Sequence, residues 1–169
     1  MKGGTTIVIA TKDKKNRSSR NPGKVFEKEF YDSVPADEAV FSYRLKDDSL
    51  GFANVKNPCD FILYKNPNIY LLELKSHKGK SIPFGAIQPN QIESLYRHNK
   101  IKGIIAGFVF NYRDNNETYF VDAVTVYHFY HMGERKSFSL EWARDKGILI
   151  PQKLKRTRYQ YDLCNLLKY

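Results

Sequence analysis

The chain has 169 residues, a length that suits one domain with a single hydrophobic core and is short for two. Lys and Arg number 28 against 18 Asp and Glu, so the formal net charge is +10. Such an excess favours a polyanionic partner, with nucleic acid first among them, although a basic surface that only keeps the protein soluble has the same composition. Charge alone says nothing about catalysis.

The two cysteines, Cys59 and Cys164, are too few and too far apart for a zinc pattern or a disulfide framework. Site chemistry must therefore come from oxygen and nitrogen groups. No apolar run approaches the roughly 20 residues that span a bilayer, and the apolar stretch at 5–11 is too short for a secretory signal. These features predict a soluble, cytoplasmic protein.

Residues 1–20 are predicted to form a flexible basic arm, followed by a single domain over residues 21–169. Residues 11–20 lack apolar periodicity and are rich in cations. The cations are Lys12, Lys14, Lys15, Arg17 and Arg20. Such an arm either lies on phosphates or is simply solvated, and composition does not separate the two.

The domain opens with a predicted helix that has Asn21 as its N-cap, buries Phe26 and Phe30, and ends near residue 34. Two extended segments follow, Ala39–Leu45 and Phe52–Val55, separated by turn residues. Together they are predicted to form a β-ribbon.

The strongest strand signals are Cys59–Tyr64 and Ile69–Lys75, which the turn residues 65–68 join into a hairpin. A second helix is predicted from Pro89 to about Asn99, with its apolar side facing the core.

Beyond that helix, Ile104–Asn111 and Thr118–Val124 flank Asp114-Asn115-Asn116 and predict another strand-turn-strand unit. The C-terminal tail is predicted to be helical. It includes Leu140–Lys146, with Ser139 as the cap and Gly147 as the stop.

The register of the predicted hairpin brings two carboxylates together. If the four-residue turn closes symmetrically, Tyr64 faces Ile69, and the same register sets Asp60 opposite Glu73. Opposed Cβ atoms in such a pair lie about 5 Å apart, where like charges destabilise the sheet unless a positive group sits between them. A divalent cation is the natural candidate.

Strand alternation puts Lys75 on the same face as Glu73, while Leu72 and Leu74 point to the opposite face. We therefore expect one face of the hairpin to be core and the other chemical. Mg²⁺ prefers oxygen ligands, and when bound it polarises a phosphate and lowers the pKa of an attacking water. Lys75 would orient that water or neutralise developing charge.

Ordinary structural explanations exist for each of these residues. A Glu-x-Lys triplet alone usually marks an exposed strand face, and it gains weight only from Asp60 in the facing register. Glu27 lies on the first helix and is positioned to approach the metal face, but helical Glu residues are usually solvated or paired with Lys. Gln91 faces the body of the domain, as an ordinary polar residue of a first helical turn also does.

Four short motifs and a glutamine occur in a fixed order along the chain. They are Gly23-Lys24-Val25-Phe26-Glu27, Asn57-Pro58-Cys59-Asp60, Glu73-Leu74-Lys75-Ser76, Ser81-Ile82-Pro83-Phe84 and Gln91. In these motifs, over roughly residues 21–147, the sequence resembles the RecU family of Holliday-junction resolvases, including its short phage-type members, within the PD-(D/E)XK nuclease group. It departs from the family at Asn90, where many members have His, and in being shorter than typical cellular members.

The resemblance implies an α/β fold with the mixed central β-sheet of PD-(D/E)XK nucleases, flanked by helices and carrying a protruding β-ribbon. It implies that Glu27, Asp60 and Glu73 serve the metal site, and that Lys75 and Gln91 support catalysis. The implied cofactor is Mg²⁺, with Mn²⁺ as a substitute.

The resemblance further implies a homodimer whose two sites nick opposed strands of a four-way DNA junction, with the ribbon at 39–56 entering the junction centre. The ribbon mixes cations with aromatics, which suits phosphate contact and base stacking, though an ordinary ribbon would look similar. The predicted DNA-contacting residues are Tyr43, Arg44, Lys46, Phe52 and Lys56. The implied setting is the cytoplasm of a bacterial cell or a phage-infected host.

Two other functions are compatible with the same sequence. One is a nuclease of this superfamily that acts on ordinary duplex or flap DNA, because fold and ligands do not define substrate shape. The other is a non-catalytic DNA-binding recombination factor, in which the carboxylates are structural. The intact acidic set favours a nuclease.

Overall fold

The computed structural model describes residues 21–36, 38–45 and 57–169. The helices are α1 Pro22–Tyr31, α2 Pro89–His98, α3 Ala123–His131 and α4 Leu140–Lys146. The strands are β1 Val40–Arg44, β2 Phe61–Lys65, β3 Asn68–His77, β4 Ser81–Pro83, β5 Ile104–Tyr112, β6 Glu117–Asp122, β7 Ser137–Ser139, β8 Ile148–Leu149, β9 Gln152–Lys155 and β10 Arg158–Tyr161. Within the described ranges, no helix is long and apolar enough to cross a membrane.

Among the described residues, six strands form a central mixed sheet in the order β1-β2-β3-β5-β6-β8. Strands β3 and β5 pair in parallel, and every other neighbouring pair is antiparallel. One face packs against α1 and the C-terminal residues, and the other packs against α2, α3 and α4. The predicted fold class, a mixed central sheet flanked by helices, is confirmed.

The first helix begins as predicted, because the Asn21 side chain accepts a hydrogen bond from the Gly23 N–H at 3.0 Å. Its two aromatic residues, Phe26 and Phe30, are buried and pack edge-on against each other at a ring separation of 6.1 Å. The helix ends at Tyr31, a few residues before the predicted end, with Asp32 as its C-cap.

The second predicted strand-turn-strand unit is only partly correct. Strand β6 ends at Asp122, so Val124 lies in helix α3 and not in the strand. The Asp122 carboxylate accepts hydrogen bonds from the Val124 and Thr125 N–H groups, both at 3.0 Å, and so caps α3. The β-branched and aromatic residues of α3 favour a strand, and this cap overrides them.

The predicted helical tail is wrong beyond Gly147. Helix α4 occurs as predicted, with Ser139 accepting a hydrogen bond from the Trp142 N–H, but strands β8, β9 and β10 follow it. Pro151 interrupts a helix there, and alternating side chains such as Leu154 and Tyr159 fit a two-stranded hairpin.

The predicted ribbon is described only in its first half. Residues Val40–Arg44 are extended as predicted, but they form the edge strand of the central sheet, with Phe41 opposite Tyr64 on β2. The remainder at 46–56 and the basic arm at 1–20 lie outside the described residues. Whether a ribbon protrudes stays a prediction.

Gly107 is where β5 and β6 approach too closely for any side chain. A Cβ on Gly107 would lie 2.5 Å from both the Phe120 ring and the Val121 carbonyl oxygen. Gly107→Ala is therefore expected to lower the free energy of unfolding by about 3 kcal/mol or more, because the backbone of the sheet must shift. In urea unfolding, Gly85→Ala is the control, since a Cβ there meets no atom of the described residues within 4 Å. Equal midpoints for the two variants would contradict the prediction.

Candidate active site

The β2–β3 hairpin has the predicted register. Tyr64 faces Ile69, and Phe61 faces Leu72. Asp60 immediately precedes β2, and its N–H donates to the Leu72 carbonyl at 3.0 Å, which places the residue level with Glu73. The turn is tighter than the four residues predicted, because Lys65 and Asn68 still pair.

Glu73 is the buried centre of the site, with 1% of its surface exposed. Its Oε1 accepts hydrogen bonds from Lys75 Nζ at 2.8 Å and from Gln91 Nε2 at 2.6 Å. Its Oε2 is also buried and has no hydrogen-bond partner among the described residues. The predicted division into a core face and a chemical face is only partly correct, because Leu71 on the same face as Glu73 belongs to the core that α2 covers.

The Asp60 carboxylate is held by the backbone of the facing strand. Its Oδ2 accepts a hydrogen bond from the Leu74 N–H at 2.7 Å. Burial raises the pKa of Asp60 to about 7, and the nearby Glu73 charge adds to the rise, while the Leu74 N–H and Lys75 oppose it. Burial likewise raises the pKa of Glu73, against the opposing effects of Lys75 and Gln91. Two carboxylates therefore share a site that disfavours their negative charges.

Gln91 connects helix α2 to this site. It is the third residue of the helix, where its Oε1 accepts the Gln88 N–H at 3.2 Å and completes a capping box. Its amide nitrogen points the other way and donates to Glu73. The side chain thus fixes the start of α2 and the orientation of the Glu73 carboxylate together.

Glu27 and Arg44 form an ion pair between α1 and β1. The side chains are 23% and 37% exposed, so the pair lies at the rim of the site. The Glu27 charge contributes to the raised pKa values of Asp60 and Glu73, so it lies within electrostatic reach of both. The sequence predicted separate roles for these two residues, one toward metal and one toward DNA, and did not foresee that they pair.

The other predicted DNA-contacting residues divide between described and undescribed positions. Tyr43 lies on the edge strand β1 and is 55% exposed. Lys46, Phe52 and Lys56 lie outside the described residues.

The residues present suit a hard divalent cation, although the described part of the chain contains no ready cluster of three His, Cys, Asp or Glu ligands. Glu73 offers a buried oxygen that has no hydrogen-bond partner in the part of the chain that the structure describes, and Asp60 brings a second carboxylate to the same level. An all-oxygen donor set of this kind matches Mg²⁺, which keeps several waters and needs only one or two protein carboxylates.

A network of hydrogen-bonded polar side chains, which was not predicted from the sequence, lies at the end of β3. Ser76, directly after Lys75, donates to Asn111 at 2.8 Å, and Asn111 in turn donates to the buried Thr118 at 2.9 Å. Thr118 continues to Gln152 at 2.6 Å. The asparagine inside the apolar run of β5 is the only sequence signal for this network. The network fixes the end of β3, the strand that carries Glu73 and Lys75.

The raised pKa of Asp60 predicts a pH dependence of stability without metal. The folded-state pKa of about 7 lies above the reference value of 3.8, so between these pH values the folded chain keeps a proton that the unfolded chain has released. The free energy of unfolding is therefore expected to fall as pH rises from about 4 to about 7, by on the order of a few kcal/mol relative to Asp60→Asn. Urea unfolding of both proteins in chelator across this range measures the difference. Parallel profiles would contradict it.

Fold and site together define a mixed α/β domain that gathers Asp60, Glu73, Lys75 and Gln91 at the start of a central hairpin. Comparison with family models matches residues 33–162 to RecU, Recombination protein U. The match covers well over half of the chain. The chain therefore belongs to the RecU family, as the sequence motifs predict, although Glu27 lies outside the matched residues.

Individual relatives add two comparisons. The SPbeta prophage-derived uncharacterized protein YotM of Bacillus subtilis (strain 168) is 40% identical over 111 residues, which are 61% of this chain and 56% of that protein. The chain thus spans little more than half the length of this relative. The solved structure of Hjc, a Holliday junction resolvase of Archaeoglobus fulgidus, matches with a TM-score of 0.45 at 15% identity, over 66% of this chain and 83% of Hjc.

Proposed function

We propose that this protein is a metal-dependent endonuclease that resolves four-way DNA junctions by paired nicking during recombination or phage DNA processing. The observation that carries the proposal is the constellation around Glu73. In a chain of the RecU family, Glu73 has one buried carboxylate oxygen without a hydrogen-bond partner among the described residues, level with Asp60, while Lys75 and Gln91 hold the other oxygen. The net charge of +10 supports a polyanionic substrate.

In this proposal Asp60 and Glu73 hold Mg²⁺, with Mn²⁺ as a substitute. The bound ion supplies Lewis-acid chemistry, polarising the scissile phosphate and lowering the pKa of the attacking water. Lys75, with its ammonium 2.8 Å from Glu73, orients that water or neutralises charge that develops on the phosphate. Gln91 keeps the Glu73 carboxylate in one orientation.

The ion pair of Glu27 and Arg44 gives these residues a linked role in the proposal. Phosphate recognises an arginine fork well, so a DNA strand at the rim competes with Glu27 for Arg44. Transfer of Arg44 to phosphate releases the Glu27 carboxylate toward Asp60 and Glu73, where it serves as the third acidic residue of the metal site. The exposed Tyr43 ring beside Arg44 offers a stacking surface to an unpaired base.

Paired nicks across a two-fold symmetric junction require two sites related by the same symmetry, so we propose a homodimer as the active form. Light scattering at the concentration used for cleavage measures this directly. A monomer that still produces paired nicks would contradict the dimer.

The test of the function is incubation with a synthetic four-way junction in Mg²⁺, in Mn²⁺ and in chelator, with each strand labelled in turn. Symmetric nicks in opposed strands that depend on the metal are the expected result. Equal cleavage of a linear duplex or a flap of the same sequence would replace the junction by a broader DNA substrate. Tight binding without cleavage in either metal would favour a non-catalytic recombination factor.

A further inference from the structure

A strongly basic hairpin stands apart from the central sheet near the C-terminus. Within the described residues, strands β9 and β10 pair only with each other, and we call residues 152–161 the basic hairpin. It carries four exposed cations within six residues: Lys153, Lys155, Arg156 and Arg158. From Gly147 to Tyr161 the sequence contains no Asp or Glu.

The pairing of β9 with β10 places positively charged side chains directly opposite each other. Lys155 lies directly opposite Arg158 in the antiparallel register. Cross-strand like charges destabilise a hairpin unless an anion lies between them. Within the described part of the chain, Arg158 alone among the four cations has an ion pair, a long one of 3.9 Å to Asp32, and Lys28 already holds Asp32 at 2.7 Å.

The turn of the hairpin has an arginine where the backbone favours glycine. Arg156 has a φ of +53°, in the left-handed region. For a residue with a Cβ this conformation costs roughly 1 kcal/mol, which glycine would avoid. An arginine in this conformation at an exposed turn points to a role for its side chain outside the fold.

The base of the hairpin packs against α1, the helix that carries Glu27. The Tyr161 ring packs edge-on against Phe26 at 5.5 Å, and the Tyr161 N–H donates to Ser33 Oγ at 3.0 Å. Thr157 at the turn shares a cavity of about 350 Å³ with Ser76, which lies on the face of β3 opposite to Lys75. The hairpin therefore lies against α1 and the end of β3, two elements that also carry residues of the proposed active site.

We infer that the basic hairpin binds the phosphate backbone of a DNA duplex and positions one arm of the substrate against the active site. This inference rests on the proposed function, because that function makes the bound DNA the substrate of the enzyme. The closely spaced cations of the basic hairpin suit the repeating negative charge of a phosphate backbone. Binding to phosphates would relieve the mutual repulsion of these cations. Such contacts fix the position of the duplex without reading its sequence.

The test is a fluorescence anisotropy titration of the full chain with a labelled junction and a labelled linear duplex, in chelator, over a series of salt concentrations. The test variant is Lys153→Gln/Lys155→Gln/Arg156→Gln. The control removes three exposed cations elsewhere, as Lys102→Gln/Arg135→Gln/Lys136→Gln. The hairpin variant is expected to flatten the plot of log K against log salt by about 2 to 3 units and to weaken binding at low salt about tenfold or more.

The control variant is expected to keep the wild-type slope within about half a unit, because its cations belong to the segments before β5 and β7 and not to the hairpin. Equal slopes for the hairpin and control variants, or a wild type that binds neither DNA at low salt, would overturn the inference. If the wild type binds through the hairpin but does not cut junctions in Mg²⁺ or Mn²⁺, the proposed function fails and the DNA-binding hairpin stands. If it cuts junctions and the hairpin variant has the wild-type slope, only the hairpin is wrong.

Arg156→Gly separates binding from folding. Glycine adopts a φ of +53° without strain, so this variant is expected to melt no lower than the wild type. It is nevertheless expected to lose about one unit of salt slope, because one phosphate contact is gone. A variant with an unchanged slope would show that Arg156 does not contact DNA and would contradict the inference at its turn.

Discussion

Asp60→Asn is expected to reduce junction cleavage by at least about a hundredfold while leaving the fold intact. The substitution removes one negative charge and keeps the shape of the side chain. The amide oxygen of Asn is still able to accept the Leu74 N–H that Asp60 Oδ2 accepts at 2.7 Å. Loss of cleavage by this variant therefore reports on the missing charge and not on a missing hydrogen bond.

Binding and stability should respond in the opposite direction to cleavage. In metal-free buffer the variant is expected to bind junction as tightly as the wild type or slightly more tightly, because a negative group near the scissile phosphate has gone. It should also melt no lower than the wild type at pH 8, since burial and Glu73 disfavour the charge on Asp60. Added Mg²⁺ should raise the melting temperature of the wild type more than that of the variant.

Two further substitutions make the result specific. Asp60→Ala also loses the hydrogen bond from the Leu74 N–H, so it is expected to melt lower than Asp60→Asn with or without metal. Asp114→Asn removes an exposed carboxylate and should leave both cleavage and melting unchanged. Wild-type cleavage by a folded Asp60→Asn variant would defeat the metal site, whatever the melting curves show.

The part of the site that local rules determine was predictable from the sequence. The strand signals around Asn66-Pro67 set the register, and the register alone brings Asp60 level with Glu73. The same holds for Gln91, because Pro89 fixes the start of α2 and a residue of the first turn faces the sheet.

Long-range packing determined what the sequence did not show. Alternation along β3 places Glu73 and Lys75 on one face but does not say whether a helix covers that face. The position of α2 decides that Glu73 is buried, and this burial raises the pKa of its carboxyl. The ion pair of Glu27 with Arg44 likewise depends on how α1 lies against β1, which no local pattern encodes.

The missed basic hairpin has a different cause. Its turn contains neither glycine nor asparagine, so the usual signal for a two-residue connection is absent at Arg156-Thr157. The remaining signal for a hairpin was the alternation of apolar and polar residues along each strand, as in Leu154-Lys155 and Tyr159-Gln160. The departure from turn chemistry at Arg156 is what a sequence shaped by binding as well as folding is expected to show.

Lys75→Met is expected to lower the free energy of unfolding by about 3–5 kcal/mol at pH 8, because it leaves the Glu73 carboxylate buried and unpaired. The loss should be smaller at pH 5. Without Lys75 the pKa of Glu73, already raised by burial, rises further above its reference value of 4.5. The folded chain then keeps a proton that the unfolded chain releases, so stability falls as pH rises through that interval.

The double variant Lys75→Met/Glu73→Gln separates the structural part of this ion pair from its chemical part. Gln keeps the volume of the side chain and removes the buried charge, so the double variant is expected to recover most of the lost stability. It should nevertheless remain inactive on junctions, because the proposed reaction needs the carboxylate as a metal ligand and the ammonium beside the phosphate.

Lys78→Met, which removes an exposed cation from the same segment, is the control and should change neither property. Urea unfolding at pH 5 and pH 8 and nicking assays on the four proteins measure both effects. A double variant as unstable as Lys75→Met would mean that lost packing of the lysine stem, and not an unpaired charge, causes the destabilisation. Cleavage by the double variant would remove both residues from the chemistry.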